Sequence, residues 1–232
     1  MRQSLAHKIS RPLTRFARRE DGTTMVEFAI CISLFLLIFF AILDFARLGY
    51  TWVSAEKAIQ QAARTAALRP AVCPGVPPFH FRALGTPDQY PPGTLCWDGT
   101  NGVCENPNTP PCTLQDALDS GDNVRIGAAN NIWDRMRPLL PDELTPANVQ
   151  VTYGYDPRLG FVGGPYVPLI STRLIGPCNG NPCFTFVTPL SALAATAGAA
   201  DTTGVPQEGG TIPFAGISAT VPGEDVNSGM NG

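Results

Sequence analysis

Residues Gly22–Leu43 read GTTMVEFAICISLFLLIFFAIL. One carboxylate, Glu27, stands near the start of this run. From Phe28 to Leu43 there are 16 residues without a charge, about 24 Å of helix at ~1.5 Å per residue. Counted from Thr23 the span is 21 residues, or about 31 Å, close to the ~30 Å hydrocarbon core of a bilayer. Because the run is apolar all round, a core helix of a soluble domain is the less expected reading, and the run reads as a transmembrane segment, Phe28 to Leu43 at its centre. A secretory signal peptide has the same basic-then-apolar order. No A-x-A site follows, however, and AILDFARLGYTW continues as helix.

The charges set the direction. The chain has 232 residues and a net charge of −3, with only 15% charged residues. Of its 16 Lys and Arg, six precede residue 20: Arg2, Lys8, Arg11, Arg15, Arg18 and Arg19. By the positive-inside rule the N-terminus stays in the cytoplasm and residues after about 44 lie outside. A basic arm can bind nucleic acid, but one set directly against a membrane span is more simply an orientation signal. No nucleic-acid partner is expected.

Beyond the span the helical pattern persists. No Pro occurs between Thr23 and Arg69. Leu48, Trp52, Ala55, Ile59, Ala62 and Ala66 follow one another at steps of four and three, with Glu56, Lys57, Gln60, Gln61 and Arg64 on the other face. Asp44 and Arg47 stand three apart and can pair. Tyr50 and Trp52 suit a membrane interface, and Pro70 stops the helix. The expectation is one helix of about 47 residues, roughly 70 Å at ~1.5 Å per residue, projecting from the membrane. Its Ala-rich stripe has two readings: packing on the chain's own outer domain, or packing between subunits.

Residues 70–112 hold ten Pro, five Gly and four Cys, which predicts an irregular insertion. Six of the seven cysteines, Cys73, Cys96, Cys104, Cys112, Cys178 and Cys183, fall on the expected outer side, and Cys31 falls inside the span. An even set in an oxidising compartment reads as three disulfides. Cys178-Asn-Gly-Asn-Pro-Cys183 brackets a turn that a local bond would close. The other four allow three pairings. Spacings of eight do not match a Cys-x-x-Cys metal pattern.

Further on, Thr113 caps a short helix over Leu114, Ala117 and Leu118. Asp122 to about Arg137 reads as an amphipathic helix, with Val124, Ala128, Ile132 and Met136 on one face. Val149, Val151, Tyr153 and Tyr155 alternate as a strand. Tyr166–Ile175 reads as a second strand, which the Cys178–Cys183 turn would join to Phe184–Thr188. Residues 194–210 read as a flexible loop, Thr211–Val221 as a last strand, and 222–232 as a tail. The fold class is α+β: a long transmembrane helix, then a small extracytoplasmic domain with one amphipathic helix, an antiparallel sheet and disulfide-stapled loops. The boundaries are 1–22 leader, 23–69 helix and 70–232 outer domain.

Little in the chain supports catalysis. Of two histidines, His7 lies in the leader and His80 stands alone in the Pro-rich stretch, so neither a Ser-His-Asp set nor a histidine metal site is evident. Gly160, Gly163 and Gly164 form a turn-rich loop rather than a phosphate cradle. Asp119 and Asp122 lack calcium-loop spacing. No cofactor, metal or catalytic residue is expected. The feature that calls for a function is Glu27. A carboxylate inside a membrane segment costs roughly 2.5–3.5 kcal/mol at mid-bilayer, less near an edge. Glu27 either snorkels to the cytoplasmic face or has a partner.

The residues around it resemble a known pattern. Gly22 followed by Thr23-Thr24-Met25-Val26-Glu27-Phe28 looks like the processing site of type IV prepilins: a basic leader ending in Gly, then Glu at the fifth position of the mature apolar helix. The longer run resembles the TadE-like family of the tight-adherence (Flp) pilus system. It carries Gly22, Val26, Glu27, Phe28 and Ala29, then Asp44, Phe45, Ala46 and Arg47, and the Ala/Arg-rich AEKAIQQAARTAA. The likeness covers roughly residues 18–69; the insertion 70–112 has no counterpart in it. It implies a bacterial inner-membrane pilin-like protein, cleaved between Gly22 and Thr23 by a prepilin peptidase. Glu27 and Phe28 would serve assembly with other pilin-like subunits and pilus assembly proteins. The domain outside, periplasmic or extracellular, would mediate those contacts. An uncleaved single-pass scaffold or adhesion protein is the alternative, and an extracytoplasmic enzyme the most remote.

Overall fold

The computed structural model describes residues 21–85, 90–176, 183–186, 210–213 and 216–224. Its first element is α1, Asp21–Ala67, 47 residues long. The helix stops where the sequence requires. Pro70 disfavours α geometry at Arg69, and the amide of Leu68 closes the last turn on the Thr65 carbonyl at 3.2 Å. The amide of Glu224 then donates to the Ala67 carbonyl at 3.1 Å, giving that helix end a partner it would otherwise lack. Residues of α1 up to Arg47 belong to one compact unit. From Leu48 onward, through Phe186, the chain belongs to a second. Each is described by itself.

In the first unit, α1 exposes its apolar side chains on all sides: Met25, Phe28, Leu34, Phe35, Ile38, Phe39 and Ile42 among them. Ser33 returns its hydroxyl to the Ile30 carbonyl at 2.9 Å, the way a hydroxyl is satisfied where no water is at hand. Among the described residues α1 is the one helix long and apolar enough to cross a membrane.

In the second unit, α1 contributes Ala55, Ala58, Ile59, Ala62, Ala63, Ala66 and Ala67 to the core, all buried. The Ala stripe therefore packs on the chain's own domain. Opposite it lie β2 (Val149–Gly154) and β3 (Leu169–Leu174), antiparallel. They sit in a sheet of order β1-β2-β3-β6, with β1 at Cys112–Thr113 and β6 at Ser218–Pro222. The register sets Val149 opposite Leu174, Val151 opposite Thr172 and Tyr153 opposite Ile170, and all six are buried. This is period-two burial on one sheet face. On the other face the hydroxyls of Ser171 and Thr220 lie 2.7 Å apart.

Two helices complete this core. Thr113 caps α2 (Leu114–Leu118) in a reciprocal box with Asp116. Asp122 caps α3 (Asn123–Met136) by accepting from the Val124 amide at 2.9 Å. Ala128, Ala129, Ile132 and Met136 of α3 are buried with Leu114 and Ala117 of α2. Val124, the first apolar residue expected on that face, is exposed at the helix entrance.

Up to Cys112, where β1 begins, the insertion carries isolated bridges but no strand among the described residues. The Cys73–Cys112 disulfide, Cα atoms 5.5 Å apart, joins its two ends, and Cys96–Cys104 lies inside that loop. A small second core of Cys96, Val103, Cys104 and Val162, with Tyr90 and Tyr155 against it, ties the insertion to the loop after β2. The Tyr155 hydroxyl donates to the Cys104 carbonyl at 3.1 Å, and that of Thr109 to the Tyr153 carbonyl at 2.8 Å.

Three expectations need correction. The second strand begins at Leu169 rather than Tyr166, because the Tyr166 amide is drawn to the Pro78 carbonyl of the insertion. The last strand is two, β5 (Gly210–Pro213) and β6, in different sheets. Pro213, with no N–H, ends the first. The partner of β3 is β6, while β4 (Cys183–Phe186) pairs with β5. Residues 1–20 of the leader 1–22, Cys178, most of the loop 194–210 and residues 225–232 lie outside the described residues. So does the expected Cys178–Cys183 bond.

Candidate functional site

The start of α1 is built from short side chains and one acid. Helix geometry already holds at Asp21, so the Gly22–Thr23 bond lies in the first helical turn. Thr23 and Glu27 are four apart, and residues at that spacing share a face. Both are exposed, and so is Phe28 at 66%. Among the described residues none covers the carboxylate face or the adjoining aromatic one.

Asp44 contrasts with Glu27. It is buried, and neither carboxylate oxygen has a hydrogen-bond partner. Phe45 beside it is exposed at 75%. The four-residue Asp44–Arg47 motif thus points one polar group inward and one ring outward.

A second cluster was not legible in the sequence. His80 is buried and pairs with Tyr166, ring centroids 5.0 Å apart. Its Nε2 accepts a hydrogen bond from the Val167 amide at 3.2 Å. With that nitrogen an acceptor, the neutral ring carries its proton on Nδ1. Nδ1 itself finds no partner, nor does the buried Tyr166 hydroxyl. Burial pushes the imidazole below its ordinary pKa of 6.5 and raises the Tyr166 phenol to about 12. His80, Cys96 and Cys104 bring three ligand-type atoms within 4.8 Å of one another. The two sulfurs are already bonded to each other, so as oxidised this group is a covalent staple beside a histidine. No spacing rule foretold the pairing of His80 with Tyr166, 86 residues later.

Other acids near the insertion serve turns. Asp98 accepts from the amides of Asn101 and Thr100 and from the Tyr90 hydroxyl, which hold it below the usual carboxylate range. Asp116 is likewise lowered by the Thr113 amide and hydroxyl. Neither set converges with a nucleophile or a histidine.

Among the described residues one apolar helix, exposed on every side and continued into a disulfide-stapled α+β domain, points to single-pass membrane anchoring. The comparison with protein families is more specific: a model described as TadE-like protein matches residues 22–64. Residues 22–64 of α1 are thus similar to TadE-like proteins, as their sequence implied, although the match covers under a fifth of the chain. No curated protein and no solved structure matches. In general terms the match over residues 22–64 supports a membrane protein associated with the tight-adherence pilus.

Proposed function

We propose that the chain is a pilin-like, or pseudopilin, protein. In this reading a prepilin peptidase removes residues 1–22, and the mature helix enters or primes assembly of the pilus or its associated secretion machinery. The observation that carries the reading is the coincidence of three things at one place: the TadE-like match begins at Gly22, Glu27 follows one turn after Thr23 on an exposed face, and the apolar span comes next. Once Thr23 is an N-terminus, its α-amino group can pair with Glu27 of a neighbouring subunit. In a low-dielectric setting each charge then neutralises the other and fixes helix register, whereas either alone is costly.

The further parts of the proposal follow from the charge pattern. The leader stays in the cytoplasm, the span 28–43 crosses the inner membrane, and residues beyond lie in the periplasm or outside the cell. Residues 70–232 would form the outer domain. Its disulfides suit that compartment, and Cys178–Cys183 is proposed as a third. The outer domain would contact other pilin-like subunits and assembly proteins. The deciding experiment is the N-terminal residue of the protein purified from membranes that contain the peptidase. A chain starting at Thr23 supports the reading. One starting at Met1 overturns the pilin-like part and leaves an uncleaved single-pass anchor.

A further inference from the structure

We propose that His80 is an acid-sensitive latch that holds the 70–112 insertion to the loop before β3, closed while its imidazole is neutral and opened by protonation. The latch is part of a seam. The His80 amide donates to the Gly164 carbonyl, the Gly163 amide donates to the His80 carbonyl, both at 2.8 Å, and the Tyr166 amide donates to the Pro78 carbonyl at 3.1 Å. Phe79 and Pro165 form the bridge between these bonds. The side-chain bond from the Val167 amide to Nε2 comes last, two residues before β3 begins. Pro168 follows and has no N–H to offer. The imidazole thus closes the end of the seam that adjoins the sheet.

The bond has a direction that protonation reverses. Val167 can only donate, so Nε2 must accept. A proton on Nε2 would set two donors against each other. It would also leave a charged ring whose Nδ1–H has no acceptor. The ring cannot turn away within its site. Gly160, at φ +84°, lies directly against it, and a Cβ there would overlap the imidazole. Tyr166 stacks at a tilt on the ring, and the Cys96–Cys104 sulfurs close that side without titrating.

Among the described residues no counter-charge offsets the cation, and burial is the one influence on its proton affinity. On the segments packed against His80 the group that faces it and titrates is the Tyr166 phenol, which stays neutral through this range. Of the charged residues on these segments, Asp98 and Asp156 accept from backbone amides of their own turns, at Thr100, Asn101 and Arg158, and Arg82, Glu105 and Arg158 are exposed. Burial alone moves the imidazole, and it moves it down. A base whose closed-state pKa lies below its open-state value binds its proton preferentially in the open state. The closed seam is therefore fully favoured above about pH 6.5 and loses ground as pH falls below it. This latch does not depend on the pilin-like reading.

The test uses the full-length chain in detergent. Amide exchange is followed by mass spectrometry in peptides covering 76–84 and 160–168, at pH 7.5 and pH 5.0, corrected for the intrinsic pH dependence of exchange. At pH 5.0 both peptides are expected to lose protection, while β2 and β3 keep theirs. The same peptides in His80→Gln, whose side-chain oxygen accepts from Val167 without titrating, are expected to stay protected. Unchanged protection of the wild-type protein at pH 5.0 overturns the latch, as does an equal acid loss in the variant. Should Gln fail to close the seam at neutral pH, the wild-type histidine resonances decide. With His7 the sole other histidine, a His80 pKa at or above 6.5 overturns the proposal and one below it upholds it.

Discussion

The Thr172 hydroxyl in β3 donates to the main-chain carbonyl of Ile59 in α1 at 3.2 Å, a side chain of the sheet reaching the backbone of the helix that packs on it. This approach needs small residues around Ile59. Ala55, Ala58, Ala62 and Ala66 supply them, each at most 1% exposed. Thr172→Val keeps the shape and removes the bond, so the expected loss is about 1 kcal/mol. Ala62→Leu forces the layers apart and is expected to cost about 1–3 kcal/mol or more. Denaturant unfolding of the detergent-solubilised chain measures both. A larger loss for the valine variant than for the leucine variant would contradict this account of the packing.

Tyr153 makes a similar link in the opposite direction, its hydroxyl accepting from the Val72 amide at 3.0 Å where the chain leaves α1. Burial raises its pKa to about 12, against an unfolded value of 10.0. The folded state thus resists ionisation. Stability from this group is present below pH 10 and declines as pH rises above it. Tyr153→Phe leaves the Val72 amide without its acceptor, at a cost of about 1–3 kcal/mol, and lessens the alkaline decline. Unfolding midpoints from pH 8 to 11 in both proteins check the sign.

The nested disulfides carry unequal weight. Cys73–Cys112 bridges a separation of 39 residues and Cys96–Cys104 one of 8. Loop-closure entropy assigns them roughly 4 and 2.5 kcal/mol. Cys73→Ser with Cys112→Ser is therefore expected to lower stability more than the inner pair does. Non-reducing peptide mapping should recover both pairings. A Cys73–Cys96 or Cys104–Cys112 peptide would refute the arrangement.

Much of this fold was legible because it rests on local rules. The 47 residues of α1, the Thr113 cap, and the alternation of Val149, Val151 and Tyr153 follow from propensity, side-chain hydrogen bonds and period. The two readings of the Ala stripe could not be separated by period, since an Ala face fits a partner subunit as well as the chain's own sheet. What the sequence hid were pairings between distant loops. Cys73 finds Cys112 and His80 finds Tyr166 and Val167 because the insertion folds against the loop after β2, and no periodicity marks such contacts. The division of Thr211–Val221 was signalled locally by Pro213, but its assignment to two sheets was not. At the candidate site, Gly22, Glu27 and Phe28 were visible as residue types at a spacing. The burial of Asp44, unlike its neighbour Phe45, was not.

Gly160 is the position where one added methyl group should have the largest local effect. Its φ of +84° lies in the region an L side chain rarely adopts, and the new Cβ would meet the His80 ring. Gly160→Ala combines backbone strain with a clash, each on the order of 1–3 kcal/mol. Gly99, also at positive φ (98°) but in open space, is expected to show the backbone part alone. Unfolding midpoints of the two variants separate the contributions. Equal losses would mean that the imidazole does not fill the space over Gly160.

Glu27 offers the sharpest separation between an assembly role and an anchor. If it pairs with the Thr23 amine of a neighbour, its charge matters and its effect on membrane insertion is secondary. Glu27→Gln removes the charge and lowers the cost of insertion, so the protein should reach the membrane at least as well as before. Cleavage after Gly22 is expected to continue, since the scissile bond precedes the mature helix. Pilus assembly should then fall by about tenfold or more, the factor that ~1.4 kcal/mol of lost pairing supplies. Thr23 N-acetylation in a reconstituted system should reproduce the defect without touching Glu27, because it removes the partner charge. Immunoblots of membrane fractions, N-terminal analysis and pilus counts read the three steps. A processed Glu27→Gln protein that assembles pili normally would leave the carboxylate as a snorkelling residue at the cytoplasmic edge of the span.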